Sequence, residues 1–164
     1  VVREPLAQNG LNPETDRTHW GLLPGNARRQ YASLVEKQKE LLASSEASPY
    51  NKSEFCAQSS KHKLGVIACG IAYNYVLENE PQKSDIPVLK VSQYPLPESS
   101  IKAFAEQCES LLIAEDGQPL VEEQVKSILG AEYPLKGRLT GELPRMGELT
   151  PDCVGAALGH PAAR

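Results

Sequence analysis

The stretch KLGVIACGIAYNYVL, residues 63–77, constrains the fold more than any other part of the chain. A short apolar run, Leu64 to Ala68, meets Gly70 and then changes period: Ile71, Ala72, Tyr75 and Val76 recur at the spacing of a helix face. A buried strand, a tight turn and a helix are expected. In an open α/β sheet such a turn lies at the carboxyl end of a strand, where ligands or partner chains approach and where glycine lets backbone come close. Gly70 stands alone, with no GxGxxG around it, so the turn is read as strand-to-helix packing, with phosphate binding as the alternative.

Composition narrows the function. With 40% hydrophobic and 23% charged residues, a chain of 164 is long enough for one domain with a real core plus an arm. A net charge of -4 supplies no basic field for a phosphate backbone, so no nucleic acid partner is expected. No apolar run approaches the ~20 residues of a spanning helix and no signal-peptide pattern is visible, so no membrane partner is expected either. Cys56, Cys69, Cys108 and Cys153 are scattered, without a CxxC pair or a histidine at ligand spacing. They read as reduced, mostly buried thiols of a cytoplasmic protein, with no metal or cluster. The chain starts at Val1 and its only methionine is Met146, which points to a piece of something longer.

Two regions are expected: residues 1–50, an N-terminal arm and amphipathic linker helix, and residues 51–164, an α/β domain with a C-terminal tail. In the arm, turns are expected at Asn9-Gly10 and Pro24-Gly25, and Trp20, Leu22 and Leu23 suggest docking on a surface. Arg28 and Arg29 read as a solvated pair or an interdomain salt bridge, with anion binding as the alternative, and His19 reads as packing. Residues 31–46 carry Leu34, Val35, Leu41 and Leu42 at helical spacing. The polar stretch 47–62 is the boundary, with an edge strand possible in principle at residues 53–57.

From Lys63 onward strands and helices alternate. Residues 86–91 form a second β-branched run, and Pro97 suits the first turn of a helix that buries Ile101, Phe104, Ala105 and Cys108. Residues 110–114 make a third strand ending at Glu115-Asp116-Gly117. The next helix, 119–129, is expected to turn Val121, Val125, Ile128 and Leu129 inward and to pair Glu122 with Lys126 outward. A fourth strand is expected within residues 133–138, then a Gly- and Pro-rich ordered loop, 137–152, crossing a surface. Thr150, Pro151 and Asp152 begin a short closing helix that stops at Gly159 and Pro161. Alternating strands and helices imply a parallel sheet covered on both faces. Glu115 and Asp116 end a strand, where acid-base residues of α/β enzymes lie, but neighbouring carboxylates point to opposite sides and a surface acid in a turn is expected. There is no nucleophile elbow and no Walker loop, and the histidines are far apart in sequence.

Ordered strings narrow the identity further. GLLPGNARRQYASLVEKQ, SPYN, LGVIACGIAYNYV, VSQYPLPESSIKAF, LLIAEDGQPLVEEQV and KGRLTGELPRMGELTPD, spread from Trp20 to Leu158, resemble the middle of the large (alpha) subunit of indolepyruvate:ferredoxin oxidoreductase. The resemblance implies a domain similar to the transketolase C-terminal domain, a three-layer α/β/α sandwich whose mixed, mostly parallel five-stranded sheet has an antiparallel edge strand. For the whole enzyme it implies oxidative decarboxylation of aryl pyruvates to aryl-acetyl-CoA with thiamine diphosphate, magnesium and iron-sulfur clusters, coenzyme A as cosubstrate and electrons passing to ferredoxin. It implies as partners the remaining domains of the alpha subunit, a beta subunit and ferredoxin. The cofactor sites belong to other domains in similar enzymes, so no cofactor and no catalytic residue is expected in this stretch.

What remains is an architectural role. Gly70, Tyr73, Asn74, Tyr94, Glu115, Asp116 and Gly117 are expected to face a neighbouring domain or subunit, because all lie at carboxyl ends of strands. Arg138 and Thr140 join them as interdomain candidates, with residues 138–150 bridging to the next domain. Direct binding of coenzyme A phosphates by Arg28, Arg29 or Arg138 is an alternative. Two further alternatives are a stand-alone interaction module of the same fold and a piece of another 2-oxoacid:ferredoxin oxidoreductase.

Overall fold

The computed structural model describes residues 10, 15–54, 61–80 and 86–160. The chain divides into two compact units, Val1–Lys39 and Glu40–Arg164. In the first, Asp16 caps a single 3-10 turn by accepting a hydrogen bond from the Thr18 amide at 2.9 Å. Gln30 Nε2 donates to the carbonyls of Thr18 (2.9 Å) and His19 (3.0 Å). Trp20, Leu22 and Leu23 are exposed. Helix α1 (Pro24–Glu46) starts before the expected span of residues 31–46, at the Pro24-Gly25 pair expected to form a turn. The physical reason is that proline is well suited to a first helical position, where its missing N–H is not needed. The Asn9-Gly10 turn, Cys56 and part of the expected edge strand lie outside the described residues.

The second unit is built on one sheet. Its strands are β1 (Lys52–Glu54), β2 (Gly65–Cys69), β3 (Val88–Val91), β4 (Leu111–Ala114) and β5 (Leu135–Lys136), in the spatial order β1-β3-β2-β4-β5. Four strands run parallel; β1 pairs antiparallel with β3, Ser53 opposite Leu89. The resemblance implied this mixed sheet and this edge. Every residue of β2 and β4 is buried, as a strand covered on both faces requires.

Alternation along the strands separates two apolar layers. Ile67, Leu89, Leu111 and Ile113 pack with Ile101 and Phe104 of α3 (Glu98–Glu106) and Val121 and Val125 of α4 (Leu120–Leu129). Val66, Ala68, Val88, Leu112 and Ala114 pack with Ala72 and Val76 of α2 (Ile71–Asn79) and Val154 and Leu158 of α5 (Pro151–Leu158). Full burial of one such Leu or Ile contributes about 1.5–3 kcal/mol. Close approach explains Gly65: a Cβ there would lie 2.5 Å from Cys108 Sγ and 3.0 Å from Phe104 Cε1.

The loop 137–150 crosses a surface, and that surface is its own sheet's. Leu143 and Leu149 are buried in the second apolar layer, while Met146 stands exposed at the tip. Thr150 caps α5 from the Cys153 amide at 3.3 Å, and Gly159 ends it at φ 90°, as the sequence suggested.

Two side chains differ from expectation. Glu122 does not face outward to Lys126; it is buried, accepts the Leu139 amide at 3.0 Å, and lies where any Cβ on Gly137 would collide with it. Anchoring the tail's first turn outweighs a surface ion pair, which is worth little. Ile71 is exposed, because α2 buries only Ala72 and Val76, one turn apart.

Candidate functional site

The chain leaves β2 toward β3 on one side and leaves β4 toward β5 on the other. The gap between the carboxyl ends of β2 and β4 is therefore a topological switch point, where open α/β sheets form their crevices. An open cleft of about 640 Å³ lies there. Of the sequence candidates, Gly70, Tyr73, Asn74, Tyr94, Glu115 and Asp116 line it. Gly117 sits in the turn after Asp116, at φ 83°, away from the lining. Thr140 lies elsewhere, accepting the Gly137 amide at 2.8 Å to close the tail's first turn.

Gly70 makes the turn from β2 into α2 at φ 57°, the left-handed region that favours glycine. Nothing would obstruct a Cβ there, so backbone conformation alone explains the residue. Behind it, Cys69 ends β2, nearly buried, with Tyr94 beside it in the cleft lining. Burial first, then the Glu115 carboxylate, pushes that thiol up to about 12, and burial likewise pushes Tyr94 up to about 12. Burial thus favours the neutral form of both groups.

Glu115 is not a surface acid. It is 5% exposed, and its two carboxylate oxygens accept the amides of Val121 (2.9 Å) and Glu122 (2.8 Å), capping α4. Burial raises its pKa above the ordinary 4.5, while the two amides and Arg138 pull it back. Asp116 is exposed, and its Oδ1 accepts from Gly117 (2.9 Å), Leu149 (3.1 Å) and Arg138 (3.1 Å).

Arg138 lies beneath this turn rather than in the cleft. It is 2% exposed and donates through Nε to the Glu115 carbonyl at 3.0 Å and through Nη1 to the Pro144 carbonyl at 2.6 Å. The guanidinium fork thus ties the tail to the end of β4 and is buried there rather than presented to solvent. Arg29, exposed on α1, donates to Asn26 Oδ1 at 2.7 Å.

Sequence reasoning missed Lys90 and Ser92, which line the cleft from the carboxyl end of β3. The rule that singled out the ends of β2 and β4 applies equally to β3 and would have found them. Lys90 Nζ stands 4.6 Å from the centre of the Tyr73 ring, a cation–π contact. Glu115 and Asp116 are thus committed to backbone amides, and among the described residues no three His, Cys, Asp or Glu side chains are placed to hold a metal ion.

No family model matches the chain. Curated relatives do. Indolepyruvate oxidoreductase subunit IorA of Methanothermobacter thermautotrophicus is 31% identical over 141 residues, covering 83% of this chain and 22% of the relative. The Methanothermobacter marburgensis and Archaeoglobus fulgidus subunits of the same name are 32% and 33% identical over 83% and 81% of this chain. The chain is homologous to one segment of IorA. It spans about a fifth of the length of these IorA relatives, which are named as subunits of an oxidoreductase. Solved structures similar to the IorA-like chain include 2-oxoglutarate:ferredoxin oxidoreductase from Magnetococcus marinus (17% identity, TM-score 0.49, 85% of this chain and 24% of that one). Another is an inactive tetramer of a split-gene transketolase (20% identity, TM-score 0.49, 68% and 41%).

Proposed function

We propose that the chain is part of the alpha subunit of an indolepyruvate:ferredoxin oxidoreductase and that its role there is architectural, the switch-point cleft forming a wall against a neighbouring domain or subunit. Identity of 31% along 83% of the chain carries the assignment to that enzyme. The commitment of Glu115 to α4 and of Arg138 to two carbonyls supports a structural role. In this reading residues 1–50 act as arm and linker helix, residues 51–164 as the domain, and Gly117, Arg138 and Thr140 act by shaping the turn and tail beside the wall.

The whole enzyme would oxidatively decarboxylate aryl pyruvates to aryl-acetyl-CoA, using thiamine diphosphate, magnesium and iron-sulfur clusters, with a beta subunit and ferredoxin as partners. The described residues do not fit those groups: Glu115 is spent as a cap, and the thiols of Cys69 and Cys108 are buried and neutral. No step of the reaction is assigned to them. A cytoplasmic protein accords with unpaired Cys69, Cys108 and Cys153, and no described helix is long and apolar enough to cross a membrane.

The test is an assay of the full-length subunit with its partner subunit, following reduction of a viologen dye that depends on indolepyruvate and coenzyme A. The whole enzyme is expected to turn over and the 164-residue chain to be inert. Oxidation of a different 2-oxoacid in preference to indolepyruvate, or turnover by the chain alone, would overturn the proposal.

A further inference from the structure

One wall of the cleft is held from outside it. The segment 92–97 follows β3 and carries Tyr94, which lines the cleft together with Cys69. Three side chains on the last turn of α1 and just beyond it clamp that segment. Asn51 Oδ1 accepts the amides of Ser92 (2.8 Å) and Gln93 (3.0 Å), and its Nδ2 donates to the carbonyls of Ser45 (2.9 Å) and Gln93 (3.3 Å). The Ser45 hydroxyl, fully buried, reaches the carbonyls of Gln93 at 3.0 Å and Pro95 at 2.5 Å. Ser44 accepts from Gln93 Nε2 at 3.1 Å. Beyond the segment, the Glu46 carboxylate accepts the Ser99 amide at 2.7 Å and the Ser100 amide and hydroxyl, capping α3.

The amide of Asn51 has no bonding capacity to spare: both acceptor positions and both donors are taken, and most of its partners lie in residues 92–93. A segment held this way has little freedom to move while the clamp is intact, because each bond lost would leave a partly buried polar group unsatisfied. The segment itself contributes few apolar anchors on the cleft side, where Tyr94 is 53% exposed. Core packing of Leu96 fixes the far end of the segment, and the side-chain bonds fix its first residues, Ser92 and Gln93.

We infer that Asn51, with Ser45, is the positioning element of the switch-point cleft: it holds the wall segment that carries Tyr94 beside Cys69, and displacing the last turn of α1 opens the cleft. Its purpose rests on the reading of the cleft as an interdomain wall; its geometry does not. A neighbour that shifts the end of α1 would change the width of the site presented to the other side.

The cysteines provide the readout. Cys69, 9% exposed, lines the cleft beside Tyr94, whereas Cys108, 1% exposed, is buried beneath Gly65 away from the clamp. Alkylation of the 164-residue chain with iodoacetamide, read thiol by thiol by peptide mass spectrometry, is compared between the wild type, Asn51→Ala and Asn51→Asp. Asn51→Ala is expected to speed labelling of Cys69 at least about tenfold with Cys108 unchanged, a loss of roughly 1.4 kcal/mol of protection or more at a tenfold rate. Asn51→Asp keeps the two acceptor bonds and is expected to fall between, which also decides the matter if the alanine variant does not fold. An unchanged Cys69 rate, or Cys69 and Cys108 rising together as global unfolding would make them, overturns the inference. The labelling needs no turnover, so an inactive whole enzyme would refute the proposed function without touching this result.

Discussion

Arg138→Ala separates the two ways in which a buried guanidinium can hold a fold. Arg138 makes two bonds to backbone carbonyls, Glu115 at 3.0 Å and Pro144 at 2.6 Å, and one to Asp116 Oδ1 at 3.1 Å. The Arg138 side chain is 1% exposed but that of Asp116 is 42% exposed, so solvent screens the ion pair. Each carbonyl bond from a charged donor contributes about 1.5–3 kcal/mol, and the guanidinium's own desolvation takes back part of the sum. Removing the side chain leaves two carbonyls short of a partner and a hole beneath the turn, and is expected to cost about 3–5 kcal/mol. Asp116→Asn keeps the Oδ1 acceptor for Gly117 and Leu149 and loses only the charge, which should cost less than about 1 kcal/mol. Urea unfolding followed by far-UV circular dichroism suits the comparison, because the only tryptophan, Trp20, is 70% exposed and lies in the first unit. With a slope near 1.5 kcal/mol per molar, the alanine variant should lower the midpoint by about 2 M or more. A shift below 0.5 M by this slope, or an Asp116→Asn variant as unstable as Arg138→Ala, would refute the assignment of the strength to the carbonyl bonds.

Two further perturbations follow from the core and from the buried acid. Gly65→Ala drives a methyl against Cys108 Sγ and should destabilise by about 1–3 kcal/mol; adding Cys108→Ala should recover part of that loss, and strict additivity in the same urea assay would contradict the overlap. Glu115, raised above 4.5 mainly by burial, binds its proton more tightly folded than unfolded. Its contribution is therefore fully present below pH 4.5 and is lost as pH rises through the folded value, so the stability of wild type relative to Glu115→Gln should fall from pH 4 toward pH 7. A flat or rising difference would contradict the sign.

What the sequence made legible is the part fixed by local period and punctuation. The run at 65–69, the change of period at Gly70 and the Thr150-Pro151 start each announce their element, because burial on both faces, a left-handed turn and a cap leave marks on adjacent residues. Six of the nine proposed wall residues meet at one cleft for the same reason: strand ends can be located without knowing strand order. The roles of Glu115, Glu122 and Asn51 were not legible. Glu122 and Asn51 bond to segments far along the chain, Asn51 some forty positions from Ser92 and Gln93, while Glu115 reaches the amides that start the next helix, six and seven residues on, from outside the usual cap position. Pro24-Gly25 shows the converse, a turn-like pair that a helix uses as its start.

Hydrogen exchange tests the central claim, that the switch-point cleft is an interdomain wall, most directly. Amide exchange at residues 69–76, 92–97 and 115–121 is measured in the 164-residue chain and in the same residues within the full-length subunit. The account predicts slower exchange at all three stretches in the full-length subunit, with the interior of β4 unchanged. Identical exchange at the three stretches in both proteins would contradict it.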